Sequence, residues 1–174
     1  SKNVKTAIGL GISVIFVLII TIPVNYFILE YLLKEGALTW ISPSFENVDL
    51  SFLSFIIFIA VIASIVQLLE MVIERYSPAL YSSLGIFLPL IAVNCAILGG
   101  ALFMQEREYL NIGEVFSFSL GSGIGWFLAI VGIAAIKEKI RYSNIPAPLR
   151  GLGISVIITG IMGIAFMSFM GIKL

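Results

Sequence analysis

The chain contains no histidine and one cysteine, Cys95, and only 11% of its 174 residues are charged. Without histidine, it has neither a histidine proton relay nor a histidine-ligated metal site. One cysteine also excludes an internal disulfide. Ten basic and ten acidic residues give a formal net charge of zero, unlike the strongly basic surface with which proteins bind nucleic acid. We therefore expect no nucleic-acid partner.

Apolar residues are abundant instead, at 60% of the chain with a mean hydropathy of +1.12. Such a composition is typical of integral membrane proteins, which contact lipid. Crossing about 30 Å of hydrocarbon takes roughly 20 helical residues. Five segments are long enough, at approximately 7–33, 50–73, 80–104, 115–136 and 149–171. The pattern predicts an all-α, polytopic transmembrane helical bundle, with residues 1–174 forming a single integral membrane domain.

Basic residues distinguish the two sides of the membrane when the loops are assigned to alternate sides. Side one carries seven basic residues, Lys2, Lys5, Arg75, Lys137, Lys139, Arg141 and Arg150, whereas side two carries three, Lys34, Arg107 and Lys173. Cytoplasmic loops are enriched in lysine and arginine. We therefore predict a multi-pass protein with a cytoplasmic N-terminus and with Leu174 on the outer side.

The number of spans predicts a further helix. Five is odd, and the sequence starts at Ser1-Lys2-Asn3 without a methionine, directly before a span. We therefore expect a sixth helix to precede Ser1. Six helices permit two inverted three-helix repeats, an arrangement in which broken helices meet near the membrane midplane.

Cys95 is the candidate for chemistry. It follows Asn94 in an apolar run that also contains Pro89 and the pair Gly99-Gly100. Proline removes a backbone donor and glycine loosens a helix, so the run predicts a broken helix that places backbone amides beside the thiol. Such amides can hydrogen-bond to the sulfur of an iron site, although a cluster usually needs four thiolates. The alternative is that Cys95 is a small buried apolar residue.

A second candidate is a polar face on the second span. Gln67, Glu70 and Glu74 are spaced i, i+3 and i+7, near the predicted cytoplasmic end. Carboxylates within a membrane span are functional candidates because burying them is costly, so Glu70, with Gln67, is a candidate for guiding sodium. The alternative is a structural role, in which Glu70 and Glu74 lie at the interface near Arg75 and end the helix.

The glycine-rich run GSGIG at 121–125 does not predict a nucleotide site. No strand precedes it, its spacing is not GxGxxG, and it has no P-loop lysine. Close helix packing is the better interpretation.

Several stretches resemble the NqrE/RnfA family. They are QLLEM at 67–71, SPALY at 77–81, LGIFLPLI at 84–91 leading into Asn94-Cys95-Ala96, and PAPLRG at 146–151. Members are membrane subunits of the bacterial sodium-pumping NADH:quinone oxidoreductase, or of the related Rnf complex. DLSFL at 49–53, GSGIGW at 121–126 and RGLGI at 150–154 resemble the NqrE branch more closely.

The resemblance implies a six-helix subunit with one cysteine on a broken helix in each half. Cys95 matches the second cysteine, and the first would lie before Ser1. Cys95 would then be a ligand of an intramembrane iron–sulfur centre, [2Fe–2S], with the backbone of Asn94 and Ala96 nearby. The homologous NqrD subunit would supply the remaining ligands as a pseudo-symmetric partner.

The role implied by the resemblance is that of a translocase subunit in the bacterial inner membrane. The centre would relay electrons from NADH towards ubiquinone, coupled to sodium export. NAD, flavins and quinone would be bound by the other subunits, NqrA, NqrB, NqrC and NqrF. One alternative is the RnfA subunit of a ferredoxin:NAD oxidoreductase. Another is an inverted-repeat transporter of small molecules, in which Asn94 and the broken helix bind substrate and Cys95 is inert.

Overall fold

The computed structural model describes residues 3–45, 50–84 and 87–171. Some residues used in the sequence analysis lie outside these ranges, namely Ser1, Lys2, Asp49, Gly85, Ile86, Lys173 and Leu174.

Throughout the described residues, all regular secondary structure is helical. The α-helices are α1 (Val4–Ile28), α2 (Ser54–Tyr76), α3 (Pro78–Leu84), α4 (Phe87–Ala92), α5 (Cys95–Arg107), α6 (Ile112–Ile140) and α7 (Leu152–Met170). A π-helical turn, Leu29–Leu33, extends α1, and short 3₁₀ turns occupy Ala37–Trp40, Pro43–Phe45, Ser51–Leu53 and Ala147–Leu149.

Within the described ranges, five helical segments are long and apolar enough to cross a membrane. They are Val4–Leu33, Ser51–Tyr76, Phe87–Arg107, Ile112–Ile140 and Leu152–Met170. This confirms the predicted all-α, polytopic bundle. Helix α3, Pro78–Leu84, precedes the third segment in the chain, and the segment itself consists of α4 and α5, which are divided at Val93 and Asn94.

Helix α1 lies at the centre of the bundle, where it packs along α6 and also contacts α5 and α2. Two of the closest approaches occur at glycines. A β carbon added to Gly123 would lie 3.2 Å from the Cα of Ile15, and one added to Gly100 would lie 3.0 Å from Cδ1 of Ile22. The predicted close packing of the run at 121–125 is thus confirmed at Gly123. It does not extend to the other two glycines of that run, whose added β carbons would contact nothing within 4 Å.

Helix α7 stands apart from the core. Of its residues only Ile158 is buried, and Leu152, Val156 and Ile161 are among the many apolar side chains that it exposes. The helix begins after Gly151, whose φ of 84° is one that glycine adopts readily. An apolar helix with so little contact within its own chain is suited to contact lipid or a neighbouring chain.

Candidate functional site

The helical break before Cys95 is formed by two residues. Helix α4 ends at Ala92 and α5 begins at Cys95, with Val93 and Asn94 between them. The N–H of Asn94 donates to the carbonyl oxygen of Ile91 at 3.1 Å, which closes the last turn of α4. Asn94 then adopts an extended conformation with φ −75° and ψ 116°. The broken helix predicted from the sequence is therefore present at Val93 and Asn94.

Asn94 begins α5 by capping it. Its Oδ1 accepts a hydrogen bond from the backbone N–H of Ala96 at 3.0 Å, which satisfies one of the donors that the first turn of a helix leaves unpaired. The Ala96 amide is consequently engaged by Asn94, and it is not free to donate to a neighbouring sulfur. The expected contribution of Ala96 thus becomes one of shaping the first turn.

The predicted causes of the break were wrong for Pro89 and the glycine pair. Pro89 lies inside α4, before the two residues that form the break. Gly99 and Gly100 lie inside the continuous helix α5, and Gly100 serves close packing against α1. The break instead results from the extended backbone and side-chain cap of Asn94.

Cys95 occupies the first position of α5 and is exposed. It therefore does not fill the apolar core of its own chain. The amino end of a helix carries unpaired N–H groups and the positive end of the helix dipole. A negatively charged ligand atom is favoured at that position.

The described residues do not form a complete metal site. They contain no group of three or more histidine, cysteine, aspartate or glutamate side chains that could hold a metal ion. Asn94 and Ala96 are half-buried beside the exposed thiol. For a metal centre, the described residues around this break therefore offer one thiol, and the remaining ligands would have to come from elsewhere.

The polar face on the second span lies on α2. Glu70 is half-buried, whereas Gln67 and Glu74 are exposed. In the described part of the chain no ion pair joins Glu74 to Arg75. The structure therefore places these residues on a helix separate from Cys95, and Glu70 is the member of the face that lies deepest.

The sequence analysis missed two buried polar residues of α1, Thr21 and Asn25, which are both 0% exposed. Within the described residues, Oγ1 of Thr21 and both side-chain amide atoms of Asn25 lack a hydrogen-bond partner. Their signal in the sequence is a threonine and an asparagine four residues apart inside an otherwise apolar run, on either side of Pro23.

Among the clefts formed by the described residues, two lie at opposite ends of the bundle. One of about 520 Å³, between α6 and α7, includes the basic residues Lys137, Arg141 and Arg150 in its lining. The other, of about 390 Å³, includes Leu29 and the carboxylates Glu106 and Glu108. We call the latter the acidic cleft. The first cleft thus contains more basic residues than the acidic cleft, in line with the distribution of basic residues between the predicted loops.

Comparison with known proteins identifies a family and relatives that align with the whole of this chain. The family described as Rnf-Nqr subunit, membrane protein, matches residues 1–173. Proteins named as the E subunit of Na(+)-translocating NADH-quinone reductase are 60% identical in Psychromonas ingrahamii, 58% in Idiomarina loihiensis and 57% in Rhodopirellula baltica. Each comparison covers 100% of this chain and 85% of the relative. The match over nearly every residue and this level of identity show that the chain belongs to the Rnf-Nqr family of membrane-protein subunits.

Proposed function

We propose that this chain is the E-type subunit of a sodium-translocating NADH:quinone oxidoreductase. The family match, the names of relatives that are 57–60% identical and the five helical segments suited to a membrane support this proposal. The chain acts as part of the oxidoreductase and performs no acid–base catalysis of its own. NAD, flavins and ubiquinone bind to other subunits, of which NqrA, NqrB, NqrC and NqrF are the proposed set.

Cys95 is the residue to which we assign the redox role. In the proposal its thiolate is one ligand of an iron–sulfur centre, of [2Fe–2S] type, shared with the homologous NqrD subunit. The observation that carries this assignment is an exposed cysteine at the first position of a helix, directly after a break. When bound, such a centre would accept and pass on single electrons.

Two residues of α5 and its cap, Asn94 and Gly100, determine where the Cys95 sulfur lies. Asn94 fixes the first turn of α5 through its bond to the Ala96 amide, so the direction of the Cys95 side chain depends on that cap. Gly100, one and a half turns further along α5, seats the helix against α1. The thiol is thus carried by a helix whose position is set by the core of the bundle.

We propose a bacterial inner-membrane location with a cytoplasmic N-terminus. Lys5 lies in the first turn of α1, Arg75 at the end of α2, and Lys137 and Lys139 at the end of α6. If successive spans cross in alternate directions, these residues share one side, as the positive-inside rule requires for the cytoplasm.

The test measures iron in the intact complex. Iron and acid-labile sulfide are quantified per complex, and electron paramagnetic resonance spectra are recorded after reduction, for the native protein and for Cys95→Ala. We expect Cys95→Ala to lose one iron centre and quinone reduction while the flavin signals remain. Val93→Ala is the matched control, because it shortens an exposed side chain in the same break and leaves the thiol intact.

Two results would contradict the assignment. Unchanged iron content and spectra in Cys95→Ala would make the thiol inert and favour the small-molecule transporter. Equal loss of the centre in Val93→Ala would show that any change at the break disrupts the site. Replacement of NADH by ferredoxin as the electron partner of the purified complex would identify the RnfA alternative.

A further inference from the structure

Thr21 and Asn25 form a buried polar pair in the outer-side half of α1, as the proposed orientation defines it. They are four residues apart on one helix, so their β carbons lie about 5–6 Å apart on the same face. Neither Oγ1 of Thr21 nor the two amide atoms of Asn25 has a hydrogen-bond partner among the described residues. Buried polar groups are nearly always hydrogen-bonded, and polar groups inside a membrane are costly. The pair therefore points to a ligand.

The surroundings of the pair restrict the size of that ligand. Each unpartnered atom exposes less than 1 Å², so a side chain of another subunit does not reach it. On the same side of α1, Leu18 accepts a hydrogen bond at its carbonyl oxygen from the Ser119 hydroxyl at 2.8 Å. Gly100 of α5 lies against Leu18 and Ile22. An occupant of this position would have to be as small as a water molecule or a monovalent ion.

The acidic cleft lies one helical turn from the pair. Leu29 follows Asn25 by four residues on the same face of the helix, lines the cleft and is 4% exposed. Side chains on a helix lean towards its N-terminus, so the Leu29 side chain lies over Asn25. Leu29 is thus an apolar barrier between the cleft and the polar pair.

Charge in and around the cleft favours cations. Glu106 and Glu108 line it together with Lys34, but the Lys34 ammonium is paired with the Glu30 carboxylate. The guanidinium of Arg107 lies over the ring of Phe118, 5.9 Å from its centre. Two carboxylates therefore remain in the cleft without a paired cation among the described residues, and such a cleft concentrates cations.

We propose that Thr21 and Asn25 form a sodium-binding step, which the ion reaches from the acidic cleft past Leu29. The Thr21 hydroxyl and the Asn25 carbonyl supply neutral oxygen ligands, and the Asn25 amide N–H groups donate to a water that accompanies the ion. Neutral ligands suit a conducted ion, because binding must be weak enough to allow release. This inference rests on the proposed function and places one step of sodium transfer within this chain.

The experiment uses the whole complex, reconstituted in vesicles that are prepared in sodium-free buffer. NADH-driven quinone reduction is titrated with added sodium, and uptake of radioactive sodium is measured in parallel. The variants are Asn25→Leu and Thr21→Val, which keep the number and branching of the side-chain heavy atoms and remove the polar atoms. Ser119→Ala is the matched control, since it removes a buried hydroxyl whose partner is the protein itself.

We expect Asn25→Leu and Thr21→Val each to raise the half-saturating sodium concentration about tenfold. This factor corresponds to the loss of one polar group that contacts a charged species. Ser119→Ala should leave that concentration unchanged. Leu29→Ala should speed passive sodium exchange through the complex. If both polar variants turn over with the native sodium dependence, the pair binds water only and the proposal fails.

A substitution at Thr21 can also impair assembly of the complex by changing the packing of α1. Thr21→Ser is therefore compared with Thr21→Val. Thr21→Ser keeps the hydroxyl and should keep the native sodium dependence, and an equal shift in both would assign the effect to packing and overturn the proposal. The proposed function has a separate readout. If the complex containing the native chain shows no NADH-driven sodium uptake, or Cys95→Ala keeps its iron signal, the function itself is wrong.

Discussion

Gly123→Ala tests the packing of the two longest helices. An added β carbon would lie 3.2 Å from the Cα of Ile15 and 3.1 Å from its Cγ1. The first of these atoms belongs to the backbone and cannot rotate away, so α1 and α6 must separate. Gly125→Ala is the control on the same helix, because its β carbon would meet nothing within 4 Å.

The expected magnitudes follow from two opposing effects. Alanine is favoured over glycine inside a helix by about 1 kcal/mol, and this gain applies to both variants. Overpacking costs about 1–3 kcal/mol, and the backbone contact places Gly123→Ala in the upper part of that range. The net effect is a loss of about 1–2 kcal/mol for Gly123→Ala and a gain of up to about 1 kcal/mol for Gly125→Ala.

The assay heats the detergent-solubilised complex and measures the fraction of this subunit that remains monodisperse on size-exclusion chromatography. For a chain of this size, 1 kcal/mol corresponds to about 2–4 °C. We therefore expect the midpoint temperature of thermal unfolding to fall by about 2–8 °C for Gly123→Ala. For Gly125→Ala that temperature should stay level or rise. If Gly123→Ala is as stable as Gly125→Ala, α1 and α6 are not in close contact at this point.

Two further predictions concern α5 and α2. Asn94→Ala removes the cap on α5, so it should lower the free energy of unfolding by about 1 kcal/mol and alter the line shape of the iron spectrum. Asn94→Ser retains a capping oxygen and should restore both the stability and the line shape. Native spectra in Asn94→Ala would show that the cap does not orient Cys95. Glu70→Gln should raise the sodium concentration that the complex requires, whereas Glu74→Gln should not, because Glu70 is half-buried and Glu74 is exposed. A lower assembly yield of Glu70→Gln with unchanged sodium dependence would assign Glu70 the structural role.

Much of the architecture could be predicted from the sequence because membrane insertion is governed by length and hydrophobicity. A segment of about 20 apolar residues must satisfy its own backbone hydrogen bonds in lipid, so it becomes a helix. The boundaries of the third span were less predictable. Pro78 is well suited to the first position of a helix, and α3 begins there, whereas Asn94 divides α4 from α5 inside what the hydropathy pattern indicated as one span.

The site was predictable in part. The sequence identified Cys95 and a helical break, since an asparagine before a lone cysteine stands out in an apolar run. It did not identify the cause of the break, because the proline and the glycines were stronger signals than a capping side chain. Thr21 and Asn25 were missed because hydropathy does not distinguish a polar residue that is buried and unpartnered from one that faces a neighbour.

The sequence alone determined that the chain is a helical membrane protein, because composition fixes which solvent a chain can enter. It also determined which residue could supply a thiolate to an iron–sulfur centre, because only one cysteine is present. Tertiary structure decided that this thiol is exposed and that Asn25 is enclosed. Exposure depends on which helix faces pack together, and that is settled by contacts between residues far apart in the chain, such as Gly123 with Ile15 and Ser119 with Leu18.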